Sequence, residues 1–266
     1  MSCCFLLCPN ESVFIMLHRP RLSKQKYCLP ANFVIAFQQF LCLLMTAFQV
    51  SNPETAKSLA VFSDFDGTIA HPDTLNFLVE RFAGPEFRQE IGRQIVSGQT
   101  SLRDAIQQEV GVIQGSLEEV LAFLKRHVAV DTSFPIFARW CFRHRIPLTV
   151  LSGGMRQVIE SLLRPYHLPG LRILANDVKI ESDRWRLEFL DNTHWGHDKG
   201  AVVHEAKKAG HLTVFLGDGL SDRGAAVEAD VVFAKAGLAL FCQEKGIPFR
   251  QFRSFSEVRS ALSQML

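Results

Sequence analysis

Phe62-Ser63-Asp64-Phe65-Asp66-Gly67-Thr68 sets two carboxylates one residue apart at the end of an apolar run. Side chains alternate faces along a strand, so Asp64 and Asp66 are expected to leave it in the same direction. Gly67 lets the chain turn sharply, and Thr68 can hydrogen-bond back across the turn. Two like charges held this close shift each other's pKa unless a cation sits between them. The pair therefore suits a metal ion, a nucleophile, or both. Taken alone it is also compatible with a plain polar turn, where Asp-x-Asp-Gly is common.

Three further polar segments recur downstream: Ser152-Gly153-Gly154, Lys199-Gly200, and Gly217-Asp218-Gly219-Leu220-Ser221-Asp222. Each by itself reads as a turn or a solvated helix start. Together they meet the needs of phosphoryl transfer. Hydrolysis of phosphate monoesters requires rate enhancements up to about 10²¹, much of it from positioning and charge neutralisation. A carboxylate can attack phosphorus and form an acyl-phosphate that water opens, which splits one hard step into two. Asp64 is the candidate nucleophile, and Asp66 the group that protonates the leaving alcohol and then takes a proton from water. Mg²⁺ prefers oxygen ligands, which the Asp64 carboxylate, the Asp66 backbone carbonyl and the Asp218 carboxylate can supply. Asp222 is expected to orient Lys199 or metal-bound water. Ser152 and the Gly153 amide, read as lying at a helix N-terminus, are donors to phosphate oxygens. Lys199 offsets the charge that builds on phosphate and nucleophile.

The elements that must carry these residues alternate. Ser58–Phe65, Pro147–Leu151 and Leu212–Leu216 are short apolar runs ending in the polar loops, the signature of buried strands. The spacing predicts a tight turn at 152–154 and a helix from there through Leu163. Ile173–Ile180 and Trp185–Phe189 alternate around Glu181-Ser182-Asp183 as a hairpin would. Asp131 is expected to cap a helix to Arg145, and Asp198 one over 199–209 ended by Gly210. Val231–Ala234 and Phe249–Phe252 read as two more strands. Between Asp73 and Val128 the apolar period becomes helical, with Leu75, Leu78, Val79 and Phe82 in one stripe and a capping box at Ser116 and Glu119. The predicted fold is α/β: a three-layer, Rossmann-like parallel sheet (56–72 and 130–266) with a helical-bundle cap (73–129) inserted after the first strand. Ligands of such sheets bind at the carboxyl ends of the strands.

With 29 basic and 27 acidic residues interspersed along the chain, no basic face argues for a nucleic-acid partner. Cys141 and Cys242 are the only cysteines after residue 42, and no C-x-x-C pair occurs, which favours a reducing, cytoplasmic setting. Residues 1–55 differ from the rest. A basic stretch (Arg19, Arg21, Lys24, Lys26) precedes an apolar one over 31–48. Three readings stand: a membrane anchor near the lower length limit for spanning, a targeting signal, or an extension outside the functional domain, with Met45 a natural start. The last is favoured, and no membrane partner is expected unless 31–48 is a real anchor.

The motifs Asp64-Phe65-Asp66-Gly67-Thr68, Leu151-Ser152-Gly153-Gly154, Lys199-Gly200 and Gly217-Asp218-Gly219-Leu220-Ser221-Asp222 resemble those of the haloacid dehalogenase-like hydrolases over about 58–260. The resemblance implies a Mg²⁺-dependent phosphatase. The carboxylate two residues after the nucleophile marks the phosphatases of that superfamily, and the helical insertion is similar to the cap of the phosphoserine phosphatase-like branch. Arg81-Phe82-Ala83-Gly84-Pro85-Glu86-Phe87 and Leu151-Ser152-Gly153-Gly154-Met155 are most similar to the 2-hydroxy-3-keto-5-methylthiopentenyl-1-phosphate phosphatases of methionine salvage. A small phosphorylated metabolite is the expected substrate, with phosphoserine or a phospho-amino-alcohol as the alternative. A non-catalytic relative that binds phosphorylated ligands, or one anchored at a membrane, is the alternative of another class. Phosphoserine phosphatases carry Glu nine residues after the nucleophile to meet the substrate's ammonium. Here that position is Asp73, which also suits a helix N-cap, the favoured role. Arg88, Arg93 and Arg103 are read as solvated, and His194 and His197 as loop residues rather than metal ligands.

Overall fold

The computed structural model describes residues 58–182 and 184–266, together with a short antiparallel pair, β1 (Phe5–Leu7) with β2 (Val13–Ile15). Met1–Ala56 and Lys57–Leu266 form separate units. The apolar stretch 31–48 and Met45 lie outside the described residues, and so does the membrane reading attached to them. No helix among the described residues is long and apolar enough to cross a membrane.

In β3 (Leu59–Ser63) every residue is buried, because apolar side chains point both ways. Leu59 and Val61 enter one core and Ala60 and Phe62 the other, the period-two alternation of a strand covered on both faces. β6 (Leu148–Met155) and β9 (Leu212–Gly217) flank β3 in parallel. Beyond β9 come β10 (Val231–Ala234) and β11 (Arg250–Gln251). Beyond β6 come β7 (Arg172–Glu181) and β8 (Arg184–Glu188). The seven strands run in the order β11-β10-β9-β3-β6-β7-β8, parallel except for the β7–β8 hairpin. This is the expected Rossmann-like sheet, with an antiparallel edge. Strand order reverses at β3, so its carboxyl end opens onto the crevice where such sheets take ligands.

Two strand residues on each side, β4 (Ala70–His71) and β5 (Ala129–Val130), pair antiparallel and bracket the helical insertion. Its helices are α1 (Thr74–Ala83), α2 (Pro85–Val96), α3 (Leu102–Gly111) and α4 (Leu117–His127). The Ser116–Glu119 capping box starts α4 as its spacing predicts. Among the described residues, 73–128 contain no strand.

Helix α5 (Phe134–Arg143) begins two residues later than expected from a cap at Asp131. Asp131 instead accepts from the Ser133 amide (2.8 Å) and hydroxyl (2.6 Å), closing a turn ahead of the helix. Pro135 then favours the first helical turn. α6 (Arg156–Leu163), α7 (Lys199–Lys208), α8 (Arg223–Glu228), α9 (Ala236–Lys245) and α10 (Phe255–Leu262) complete the layers. Under the sheet, Phe255 stacks edge-on against Phe134 at 5.0 Å between ring centres and lies close to Phe137 and Phe252. Phe255 is fully buried, so Phe255→Ala leaves a cavity that the surrounding rings cannot fill. We expect a loss of about 3–5 kcal/mol in urea unfolding.

Candidate active site

The loop leaving β3 is held by backbone bonds: Ile69 and Ala70 both donate to the Phe65 carbonyl, at 2.8 and 2.9 Å, and Gly67 donates to Ala70. Gly67 adopts φ +79°, and a side chain there would place its Cβ only 2.1 Å from Asp218 Oδ2. Glycine at 67 thus serves the turn and also lets the Asp218 carboxylate close over it.

Asp64 and Asp66 diverge from this loop toward different partners. Asp64 is buried, with its amide on the Leu216 carbonyl and Oδ1 accepting from Lys199 Nζ at 2.6 Å. Asp66 Oδ1 accepts from the Thr74 amide at 2.7 Å, at the start of α1. Its Oδ2 lies beside Gly154, where a Cβ would approach it to 3.0 Å. The Thr68 hydroxyl donates not across its own turn but to Asp218 Oδ1, at 3.3 Å.

Lys199 arrives on the first turn of α7, which Asp198 caps by accepting from the Ala201 amide at 2.9 Å. A fully buried ammonium is costly unless paired, and Lys199 bridges Asp64 and Asp222 at 2.6 and 2.7 Å. Burial pulls its pKa down, but the two carboxylates outweigh burial and raise it. The second oxygen of Asp222 accepts from the Asp218 and Gly219 amides at 2.9 and 3.0 Å. A Cβ at Gly217 would come within 2.4 Å of that oxygen, so the close fit demands glycine there as well.

Oxygens of Asp64, Asp218 and Asp222 lie within 4.8 Å of one another, a spacing that suits a hard cation. Both oxygens of Asp222 are already engaged, which leaves Asp64 Oδ2 and the Asp218 carboxylate as the available donors. The electrostatics agree. Burial, and then the charge of Asp222, raise Asp64 well above its ordinary value and push Asp218 up to about 6. Burial, followed by the charge of Asp73, pushes Asp66 up to about 7. The carboxylates carry more negative charge than Lys199 neutralises, so the donor set fits a divalent cation.

Ser152-Gly153-Gly154 is not a turn at a helix N-terminus. It is the buried end of β6, whose pairing with β7 shifts register between Leu151 and Met155, and α6 starts only at Arg156. The glycine at 154 answers to the close approach of Asp66 and Ser152 rather than to a change of chain direction. Ser152 Oγ accepts from the Gly154 amide at 3.0 Å, which leaves its O–H free to donate.

Two residues that position the site were missed by sequence reasoning. Buried Asn176 donates to the Gly153 and Gly196 carbonyls at 2.7 and 2.9 Å and accepts from Leu190, tying the Ser152 strand to the loop before Lys199. Its only signal was a polar residue inside an apolar strand. Asp191 organises that same loop, accepting from Thr193 (amide and hydroxyl) and the Asp198 amide. Against burial, which acts to raise it, these bonds hold Asp191 down to about 2.

Asp73 caps α1 through the Asn76 amide at 2.8 Å. Arg88 pairs with Glu80 and Arg93 with Glu90 on the insertion's own surface. Arg103 departs from the solvated reading: its guanidinium lies 4.1 Å over the Phe189 ring and donates to the Asp191 carbonyl, joining α3 to the core. His197 Nδ1 faces Asp191, and exposed His194 offers its carbonyl to the Arg103 amide.

These shifts fix how metal-free protein responds to pH. The folded state keeps protons on Asp218 up to about 6 and on Asp66 up to about 7. Unfolded carboxyls release theirs near about 4. The stability these groups contribute is therefore full below about 4 and is lost as pH rises through about 6 and 7. Thermal melting in chelator should show a lower Tm at pH 8 than at pH 5.5, and Mg²⁺ should raise Tm at pH 8 more than at pH 5.5. Gly67→Ala, which drives a methyl into Asp218, should abolish the Mg²⁺ response. A Tm indifferent to Mg²⁺ at pH 8 would contradict the assigned donors.

Comparison with known proteins agrees with this geometry. The family model for haloacid dehalogenase-like hydrolases matches residues 61–226. Pdp3-interacting factor 1 of Schizosaccharomyces pombe is 34% identical over 223 residues, covering 79% of this chain and 96% of that protein. Polyol phosphate phosphatase PYP1 of Saccharomyces cerevisiae is 28% identical over 77% of this chain and 93% of its own. A 2-hydroxy-3-keto-5-methylthiopentenyl-1-phosphate phosphatase of Bacillus cytotoxicus is 27% identical, covering 79% of this chain and 98% of that protein. The solved phospho-aspartyl intermediate analogue of phosphoserine phosphatase shares the fold, with TM-score 0.60 and 18% identity across 77% of this chain and 98% of its own. From sheet to motif loops, then, the chain belongs to the haloacid dehalogenase-like hydrolases and is a phosphoric monoester hydrolase.

Proposed function

We propose that the chain is a Mg²⁺-dependent phosphatase of a small phosphorylated metabolite, working through an aspartyl-phosphate on Asp64. One observation carries this reading: Asp64 has one oxygen held by buried Lys199 and the other free, beside an Asp66 carboxyl pushed up to about 7. The Asp64 carboxylate attacks phosphorus as the ester P–O bond breaks, and Asp66 hands its proton to the departing alkoxide. Water then opens the acyl-phosphate while Asp66 takes the proton back, which returns both groups to their starting state. The Ser152 hydroxyl and Gly153 amide hold phosphate oxygens, and Lys199 keeps the attacking carboxylate in place while countering the added charge. Mg²⁺, held by the Asp64 and Asp218 carboxylates and the Asp66 carbonyl, would supply positive charge opposite the phosphate. Asp222 and Thr68 orient Lys199 and Asp218 in this scheme.

For the substrate, likeness to the Bacillus protein supports 2-hydroxy-3-keto-5-methylthiopentenyl-1-phosphate and a place in methionine salvage. Likeness to the yeast enzyme supports a polyol phosphate as the second reading. Residues 73–129 act as the cap, opening on the β4–β5 strands and closing over the ester to exclude water. The buried free thiols of Cys141 and Cys242 support a reducing, cytoplasmic setting.

Turnover of p-nitrophenyl phosphate with and without Mg²⁺ tests the scheme. We expect Asp64→Asn to fall to background and Asp66→Asn to lose about 10²–10⁴-fold in kcat. Undiminished turnover by Asp64→Asn would remove it as nucleophile.

A further inference from the structure

Helix α3 carries a carboxylate that nothing above employs. Glu109 is only 9% exposed, yet its side chain accepts no hydrogen bond and forms no ion pair among the described residues. Its oxygens are not among the sealed, unpartnered polar atoms, so what little of the residue is open includes the carboxylate, within reach of a ligand's donor. Arg88, the cation that acts on it, lies 2.7 Å from Glu80 through a buried Nε that makes no hydrogen bond.

The position of Glu109 is set by the face of α3 it shares with Ile106, and the electrostatics of its neighbours agree. Ile106, one turn earlier on the same helix face, brings its Cδ1 to within 3.5 Å of where a Cβ on Gly153 would stand and 3.2 Å of one on Gly196. That face of α3 therefore lies over the strand end that carries Ser152. The charge of Glu109 raises the Asp73 carboxyl, whose own charge raises Asp66. Asp73 is already occupied as the cap of α1, so Glu109 is the carboxylate on this side with its oxygens open. Burial pushes Glu109 up to about 7, so near neutrality it can accept from, or donate to, a hydroxyl.

We propose that Glu109 determines specificity: it hydrogen-bonds hydroxyl groups on the substrate's tail and rejects phosphate esters whose tail carries a carboxylate. This rests on the phosphatase reading above and narrows it to hydroxylated, non-acidic esters. A carboxylate tail would meet Asp73 and Glu109 as like charges in a site of low dielectric, which costs several kcal/mol and selects against the wrong partner.

The test is competition against p-nitrophenyl phosphate in Mg²⁺ by glycerol 3-phosphate, 3-phosphoglycerate and phosphoethanolamine. The first two differ at the tail carbon by hydroxymethyl against carboxylate. Wild type should be inhibited by glycerol 3-phosphate at least about tenfold more tightly than by 3-phosphoglycerate. Glu109→Arg should erase or invert that ratio. Glu109→Gln, nearly the same shape and safer for folding, should cut it several-fold. An unchanged ratio in both variants, tighter inhibition by phosphoethanolamine, or no competition by either of the first two esters would overturn the assignment. If wild type turns over p-nitrophenyl phosphate and Asp64→Asn does not, such a result removes the specificity role alone. Without wild-type turnover, the phosphatase reading falls and this inference with it.

Discussion

Lys199 organises the catalytic centre. Its ammonium is buried between Asp64 and Asp222, and those residues come from the carboxyl ends of two neighbouring strands while Lys199 comes from a helix between them in sequence. An unpaired charge in that position would be strongly destabilising, so the three loops must meet for any of them to be buried. The pairing also divides labour among four carboxylates. Asp222 is used up by Lys199 and two amides, Asp64 is half used, the Asp218 carboxylate accepts from the Thr68 hydroxyl alone among the described residues, and Asp66 turns toward α1. Chemically similar side chains are thereby set apart for the proposed roles of strut, nucleophile, cation donor and proton carrier.

The same logic explains the glycines. At 67, 154 and 217 the neighbours of the missing side chain are carboxylate oxygens, 2.1–3.0 Å from an added Cβ. Glycine at these points is spacing for charge, and only Gly67 also serves a turn with positive φ. Sequence reasoning read the Gly-rich segment 152–154 as a tight turn. At Ser152-Gly153-Gly154 that was wrong, because strand pairing with β7 and the Asn176 amide continue past the point where composition signals a break.

The helical insertion adds a second layer of control. Its α3 touches the core through Ile106, Arg103 and Gln107, which accepts from the Leu187 amide at 3.0 Å. In the proposed scheme the groups that choose a substrate are set by how one cap helix lies on the sheet, while the groups that break the ester bond belong to the sheet itself. Chemistry and selectivity can vary independently in such an arrangement, and the relatives carry names for different phosphate esters.

Much was legible in the chain without coordinates. Alternating burial in β3, the apolar runs of β6 and β9, the helical stripes of the insertion and the Ser116–Glu119 cap are local patterns, and local patterns follow from backbone periodicity and short-range hydrogen bonding. The four polar segments were readable too: each alone reads as a turn or a helix start, but their order and shared chemical demand single out Asp64, Asp66, Lys199, Asp218 and Asp222. Other features belonged to tertiary structure alone. These include the free oxygen of Asp64, the full engagement of Asp222, Asn176 joining two distant loops, Arg103 lying on Phe189, and Glu109 buried without a donor. Each depends on which residues far apart in sequence are brought within a few ångströms, and on the loss of solvent there. Sequence spacing encodes the direction of a side chain along its own element, but partners and dielectric are properties of the packed molecule, and these decide which carboxylate is paired, which keeps an open oxygen and which holds its proton.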